Sequence, residues 1–280
     1  EFSFYAKEMN VHFLETLELE SALRQALDRD QFRLYYQPKV GLMSGCILGC
    51  EALIRWQHPQ RGMVAPAEFI PLAEETGLIV SIGEWTLREA CRQAVEWQAL
   101  GLPPLNVAVN LSARQFRKGN LLQVVEKVLK QTGLDPQLLE LELTESMIMH
   151  DPLGAGQTMH QLKELGVSLS LDDFGTGYSS LNYLRSFPVD SLKIDRSFIA
   201  DLATDSSEAS VVTSVISIAH NLGLSAIAEG VETGEQLDFL VDNGCDMMQG
   251  YLFSRPLPAD EFARLLRRNP RLECPGTAWG

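Results

Sequence analysis

FRLYYQPKVGLMSGCILGCEALIRW, residues 32–56, contains two segments with strand-like alternation, FRLYYQP (32–38) and CILGCEALIRW (46–56). Only KVGLMSG separates them. A connection that short can close a hairpin, whereas two parallel strands need a crossover of about a dozen residues or more. The first strand is therefore expected to run antiparallel to the second.

Six further period-two segments follow: LNVAVNLS (105–112), LLELELTES (138–146), VSLSLDDF (167–174), VDSLKID (189–195), LSAIAEG (224–230) and CDMMQGYLF (245–253). Most of the gaps between them carry a helical pattern, as in IGEWTLREACRQAVEWQALG and SEASVVTSVISIAHNLG. Alternating strands and helices over this length predict an α/β fold, a modified (β/α)8 TIM-like barrel whose first strand is antiparallel. Gly101, Gly133, Gly166, Gly223 and Gly244 sit where helices should end, as C-caps do. The expected division is a linker helix over 1–30, a barrel over 31–268 and a loose tail over 269–280.

The chain has 280 residues, 45% hydrophobic, with 37 acidic against 23 basic side chains and a formal charge of −14. So acidic a surface argues against a nucleic-acid polymer as partner, because neutralising phosphates needs a basic face. A small anion held by local cations stays open. No stretch reaches the roughly 18 apolar residues that cross a membrane. The five cysteines, Cys46, Cys50, Cys91, Cys245 and Cys274, follow no zinc spacing and read as reduced thiols of a cytoplasmic protein. The five histidines are scattered and read as structural. The opening EFSFYAKEMN is neither a signal peptide nor an initiator methionine, which suggests a piece of a longer protein.

Alternation also divides each strand into two faces. Leu139, Leu141 and Leu143 share one face, and Glu140, Glu142 and Thr144 the other. Applied to every strand, this places Glu51, Asn110, Glu142, Asp172, Lys193, Glu229 and Gln249 inside the barrel, near the C-terminal ends where this fold builds its active sites. A lone inward carboxylate is most simply a salt-bridge partner or a cap. Four of them, Glu51, Glu142, Asp172 and Glu229, with one inward lysine cannot all stay charged without further cations. Carboxylate and amide oxygens suit a hard divalent ion, Mg²⁺ or Mn²⁺, whereas zinc would want His or Cys. The adjacent pair Asp172 and Asp173 would let two ions share one site, the arrangement that clamps both oxygens of a phosphoryl displacement. Gly175 and Gly177 then give the following loop its sharp turn.

EALIRW (51–56), VNLS (109–112), ELTES (142–146), DDFGTGYSSL (172–181), LKIDRSFI (192–199), AEGVET (228–233) and QGYLFSRPL (249–257) together resemble the EAL domains. These are bacterial phosphodiesterases that linearise cyclic di-GMP. The resemblance runs from about residue 32 to about residue 265 and implies a barrel with an antiparallel first strand.

It further implies that Glu51, Asn110, Glu142 and Asp172 are metal ligands, with Asp173 on a second ion. Glu229 matches a second-site ligand or the base for the attacking water, and Lys193 a contact to that water or the phosphate. Glu51, Lys193 and Glu229 are thus the expected catalytic residues. Gln37, Arg55, Asp195 and Gln249 match positions that bind the dinucleotide. Glu232 and Gln249 support the metals, and Glu145 anchors the DDFGTG loop, with Gly175 and Gly177 inside it.

The implied cofactor is Mg²⁺ or Mn²⁺, two ions per site, with Ca²⁺ inhibiting. The implied product is linear 5′-pGpG and the implied assembly a homodimer in the cytoplasm. FSFYAKEMN resembles the end of a GGDEF domain, which implies a GGDEF–EAL tandem that membrane-anchored upstream parts could tether. The rival reading is a silent EAL domain that binds cyclic di-GMP as a receptor. Such domains usually lose the EAL glutamate or the loop, and both are present here.

Overall fold

The computed structural model describes residues 17–175, 181–202 and 206–272. Its strands are β1 (Phe32–Gly41), β2 (Ile47–His58), β3 (Gly62–Val64), β4 (Asn106–Asn110), β5 (Leu139–Thr144), β6 (Ser168–Phe174), β7 (Ser191–Ile194), β8 (Ser225–Glu229), β9 (Met247–Gln249) and β10 (Leu257–Pro258). The ring runs β1-β2-β4-β5-β6-β7-β8-β9 and closes where β9 meets β1. β1 is antiparallel to both neighbours, and every other pair in the ring is parallel. The fold is the modified barrel that the short KVGLMSG connection required.

All eight expected strands are present. β3 and β10 were not foreseen; each adds a few residues antiparallel to β2 and β1, too short for alternation to reveal.

The outward face of each strand is apolar because it must dry the surrounding helices. Leu139, Leu141 and Leu143 of β5 are fully buried there with Val107 and Val109 of β4 and Leu169 and Leu171 of β6. Each such side chain contributes about 1.5–3 kcal/mol of transfer free energy. The five expected helix-end glycines all adopt positive φ. Gly133 illustrates the reason: at φ +74° it caps Leu121–Thr132 in the left-handed conformation, where a Cβ would strain the backbone.

Residues 17–26, within the stretch 1–30 expected to be a linker helix, are helical and pack onto the barrel; residues 1–16 of that stretch lie outside the described residues. Leu19, Leu23 and Ala26 are buried with Phe32, Trp56 and Phe69, whose rings lie 5.8–6.2 Å apart. At the other end the final helix, Ala259–Arg268, is followed by a buried Leu272 whose N–H donates to the Gly45 carbonyl at 2.8 Å. Among the described residues no helix is long and apolar enough to cross a membrane.

Candidate active site

Parallel strands in register bring their C-terminal ends to one rim. Ala108 pairs with Glu51, Asn110 with Glu142, Thr144 with Asp172, and Glu229 with Gln249. The seven polar residues expected at this mouth form one connected array. Asn110 donates to Glu51 Oε1 at 2.5 Å, and Gln249 donates to Glu51 Oε2 at 2.6 Å and to Gln37 Oε1 at 3.0 Å. Lys193 Nζ lies at the focus of the carboxylates, 2.6 Å from Glu229, 2.7 Å from Glu142, 3.2 Å from Asp172 and 3.8 Å from Glu51.

Lys193 is not the only inward ammonium. Lys39 of β1 is also buried, and its Nζ donates to Glu140 Oε1 at 2.6 Å and to Glu142 Oε1 at 2.7 Å. Among the described residues the barrel interior thus holds five carboxylates against two lysines. Lys39 lies beyond the strand expected over 32–38 and within the KVGLMSG connection, whereas β1 runs on to Gly41. The missed signal is that Gln37 and Lys39 share a face, so the strand continues inward through Lys39 to Gly41.

Three carboxylates at the rim still exceed what Lys193 can neutralise, and their acidities record it. Burial pushes Glu229 up to about 8 against the pull of Lys193. Burial raises Glu51 and Asp172 too, reinforced at both by Glu142. Glu142 goes the other way, to about 2, because the two lysines overcome the cost of burial. Lys193 itself is held well above the ordinary lysine value, since its carboxylates outweigh desolvation.

Asp172 and Asp173 would point to opposite faces of a regular strand. Instead β6 is bulged between Leu171 and Phe174, with Asp173 at φ +55° and its N–H donating to Asp172 Oδ1 at 2.9 Å. Bulges re-aim side chains beside functional sites, and Asp tolerates the left-handed region better than most residues. Asp172 stays on Lys193, while the half-buried Asp173 is raised by desolvation and by neighbouring Asp195. Asp195 caps the helix Arg196–Ala200, accepting from Ser197 N–H at 2.9 Å, and those hydrogen bonds lower its own pKa despite burial.

A cleft of about 250 Å³ opens over this array, lined by Gln37, Glu51, Asp172, Glu229, Glu232 and Gln249 among others. Its neighbour, about 300 Å³ and largely apolar, shares Leu53 with it and contains Arg55 and Asn110. Arg55 is half-buried, with its guanidinium 5.6 Å from the Tyr35 ring centroid, and desolvation lowers its pKa. Glu232 is exposed on the β8–β9 connection. Glu145 opens a short helix at the end of β5; it is buried, and its Oε2 has no hydrogen-bond partner among the described residues. Gly175 sits at φ +99°, where an added Cβ would lie 3.2 Å from the Phe198 ring. Gly177 lies outside the described residues. Of the described histidines, His58 accepts from two backbone N–H groups and His220 pairs with Asp246 at 3.0 Å. Cys46, Cys50, Cys91 and Cys245 are free thiols.

The array is rich in hard oxygen donors. Gln249 Oε1 is buried with no hydrogen-bond partner among the described residues, and Asn110 spends its amide nitrogen on Glu51, leaving its carbonyl oxygen as acceptor. Among the described residues no three His, Cys, Asp or Glu side chains surround one point as metal ligands would; the Lys193 ammonium takes that place. By donor type and charge deficit the residues fit a hard divalent cation.

Comparison with known proteins agrees in sequence and in shape. The EAL domain family model matches residues 20–256. The chain is 48% identical over 260 residues to the bifunctional diguanylate cyclase/cyclic di-GMP phosphodiesterase MucR of Pseudomonas aeruginosa, covering 93% of this chain and 38% of that protein. It is 45% identical over 267 residues to the cyclic di-GMP phosphodiesterase NbdA of the same organism, covering 94% and 34%. The chain thus spans little more than a third of the length of these relatives. A solved structure described as the PaMucR phosphodiesterase in complex with c-di-GMP superposes with a TM-score of 0.85 at 49% identity, covering 88% of this chain and 99% of that one.

Proposed function

The chain belongs to the EAL domain family, and from that premise we propose that it is a phosphodiesterase hydrolysing cyclic di-GMP to linear 5′-pGpG. The observation that carries this reading is the intact array at the barrel mouth. Every carboxylate and amide expected to act there is present, gathered around one lysine beneath an open cleft.

Glu51, Asn110, Glu142, Asp172, Asp173 and Glu229 are the residues that would hold Mg²⁺ or Mn²⁺, in one or two ions. Such ions lower the pKa of a bound water and neutralise charge developing on the phosphate. The chain's own residues supply the rest. Glu229, 2.6 Å from Lys193 at the rim, is placed to accept a proton from the attacking water in its carboxylate form and pass it to bulk solvent. Lys193 supplies the fixed positive charge next to the scissile phosphate. Gln249 donates to both Glu51 and Gln37, and Gln37 donates in turn to the Ser254 carbonyl, so the two glutamines present a rigid floor to the dinucleotide. Arg55, flanking the adjoining apolar cleft, is placed to meet a phosphate or guanine edge. The same reading makes the protein a cytoplasmic enzyme that acts as a homodimer.

The test sets turnover and binding side by side. With Mg²⁺ or Mn²⁺ the parent chain should convert cyclic di-GMP to pGpG, while Glu51→Ala should bind the dinucleotide and leave it intact. Binding without turnover by the metal-replete parent would make this barrel a receptor.

A further inference from the structure

Glu142 is the most enclosed carboxylate of the array, with no exposed side-chain surface, and each of its oxygens meets a different lysine. Oε2 faces the mouth and Lys193 at 2.7 Å, while Oε1 faces down to Lys39 at 2.7 Å. Lys39 crosses the interior to reach it. It stands on β1 opposite Gly49 of β2, which adds no side chain to that layer, and β2 and β4 both lie between β1 and β5. Its ammonium is fixed in turn by Glu140 Oε1 at 2.6 Å. Lys39 is not among the residues that line the cleft; its ammonium is held by Glu140 and Glu142 beneath it.

We propose that Lys39 is a positioning residue: it pins Glu142 Oε1 from below, so that Glu142 offers the mouth a single oxygen in a fixed direction. A carboxylate rotates readily about its last bond and can ligate through one oxygen or two. Holding Oε1 on a buried ammonium removes that freedom. Outer partners of this kind typically alter metal affinity or activity by about 10–100-fold when removed. The inference rests on the reading of Glu142 as a metal ligand.

The competing role for Lys39 is to neutralise Glu140 and no more. The variant Lys39→Met/Glu140→Met separates the two, because it removes that ion pair without leaving a buried charge from it, and it deprives Glu142 of its lower donor. Circular dichroism would establish that it folds. Mn²⁺ affinity of the substrate-free chain would then be followed by electron paramagnetic resonance, alongside kcat and KM for cyclic di-GMP. The expected result is an affinity about 10–100-fold weaker than the parent's, with kcat reduced at fixed Mn²⁺, recovering as Mn²⁺ is raised, and KM little changed. Parent-like Mn²⁺ affinity in the folded double variant would overturn the proposal and leave the phosphodiesterase reading standing. Glu140→Gln alone keeps Lys39 on Glu142 and should keep the parent's affinity. If that single change weakens Mn²⁺ as much as losing Lys39 does, or if the double variant fails to fold and Glu140→Gln binds poorly, Lys39 is not the determinant. A parent chain that binds no Mn²⁺ would refute both readings together.

Discussion

Replacing Lys193 with methionine keeps the side-chain length and removes the ammonium that four carboxylates share. In the parent, Glu142 retains Lys39 as a second cation, but among the described residues Glu51, Asp172 and Glu229 have no other lysine or arginine in their ion pairs. Breaking a buried ion pair by deleting one partner costs about 3–5 kcal/mol, because a charge is left behind without compensation. For a domain of this size each kcal/mol moves the melting temperature by about 2–4 °C, so the metal-free variant should melt about 6–20 °C below the parent. The assay is a thermal melt followed by circular dichroism near pH 9 with EDTA present, above the value of about 8 to which burial raises Glu229, so that the carboxylates are ionised. Repeated in saturating Mg²⁺ or Mn²⁺, the melt of the variant should recover by more than the parent gains, because the ion supplies the missing charge. An EDTA melting temperature equal to the parent's would refute the claim that Lys193 holds the carboxylates together.

Gly250 follows Gln249, and a Cβ there would fall inside van der Waals contact with the backbone N and O of Val231. Those atoms bond to Gln249 and Leu252, so Gly250→Ala should cost about 1–3 kcal/mol and displace Gln249 from Glu51; an unchanged melting temperature and turnover would count against that packing. Ca²⁺ substituted for Mg²⁺ should inhibit hydrolysis, because its looser coordination suits the donors without the octahedral geometry; full turnover in Ca²⁺, measured by chromatography, would contradict the metal account. Burial pushes the thiols of Cys91 and Cys245 up to about 12 and raises Cys50 as well. A raised thiol pKa leaves less thiolate at every pH below it, so these three should resist iodoacetamide from pH 7 to pH 9 in the native chain, while half-buried Cys46 reacts; peptide mapping that finds Cys91 or Cys245 labelled without denaturant would refute it.

The hairpin of β1 and β2 was legible because a connection as short as KVGLMSG has only one geometric solution. The seven rim residues were legible because alternation is strict in LLELEL and its parallel partners, and parallel register then carries the polar faces to one end. What escaped had physical reasons. Lys39 was lost where β1 outlasts its hydrophobic signal, and with it the second cation that keeps Glu142 ionised. The bulge that turns Asp172 and Asp173 is a register irregularity, to which a period-two pattern is blind. The docking of residues 17–26 depends on Trp56 and Phe69, far along the chain, which helical spacing in the segment cannot report.

The most direct test is hydrolysis of cyclic di-GMP by the purified chain in ¹⁸O-enriched water, with Mg²⁺ or Mn²⁺ present, followed by mass spectrometry. Attack of water on one phosphodiester predicts linear pGpG carrying a single heavy oxygen in its terminal phosphate, formed only with metal and with Glu51 intact. Cyclic di-GMP recovered unlabelled and uncleaved from the metal-replete chain would contradict the account.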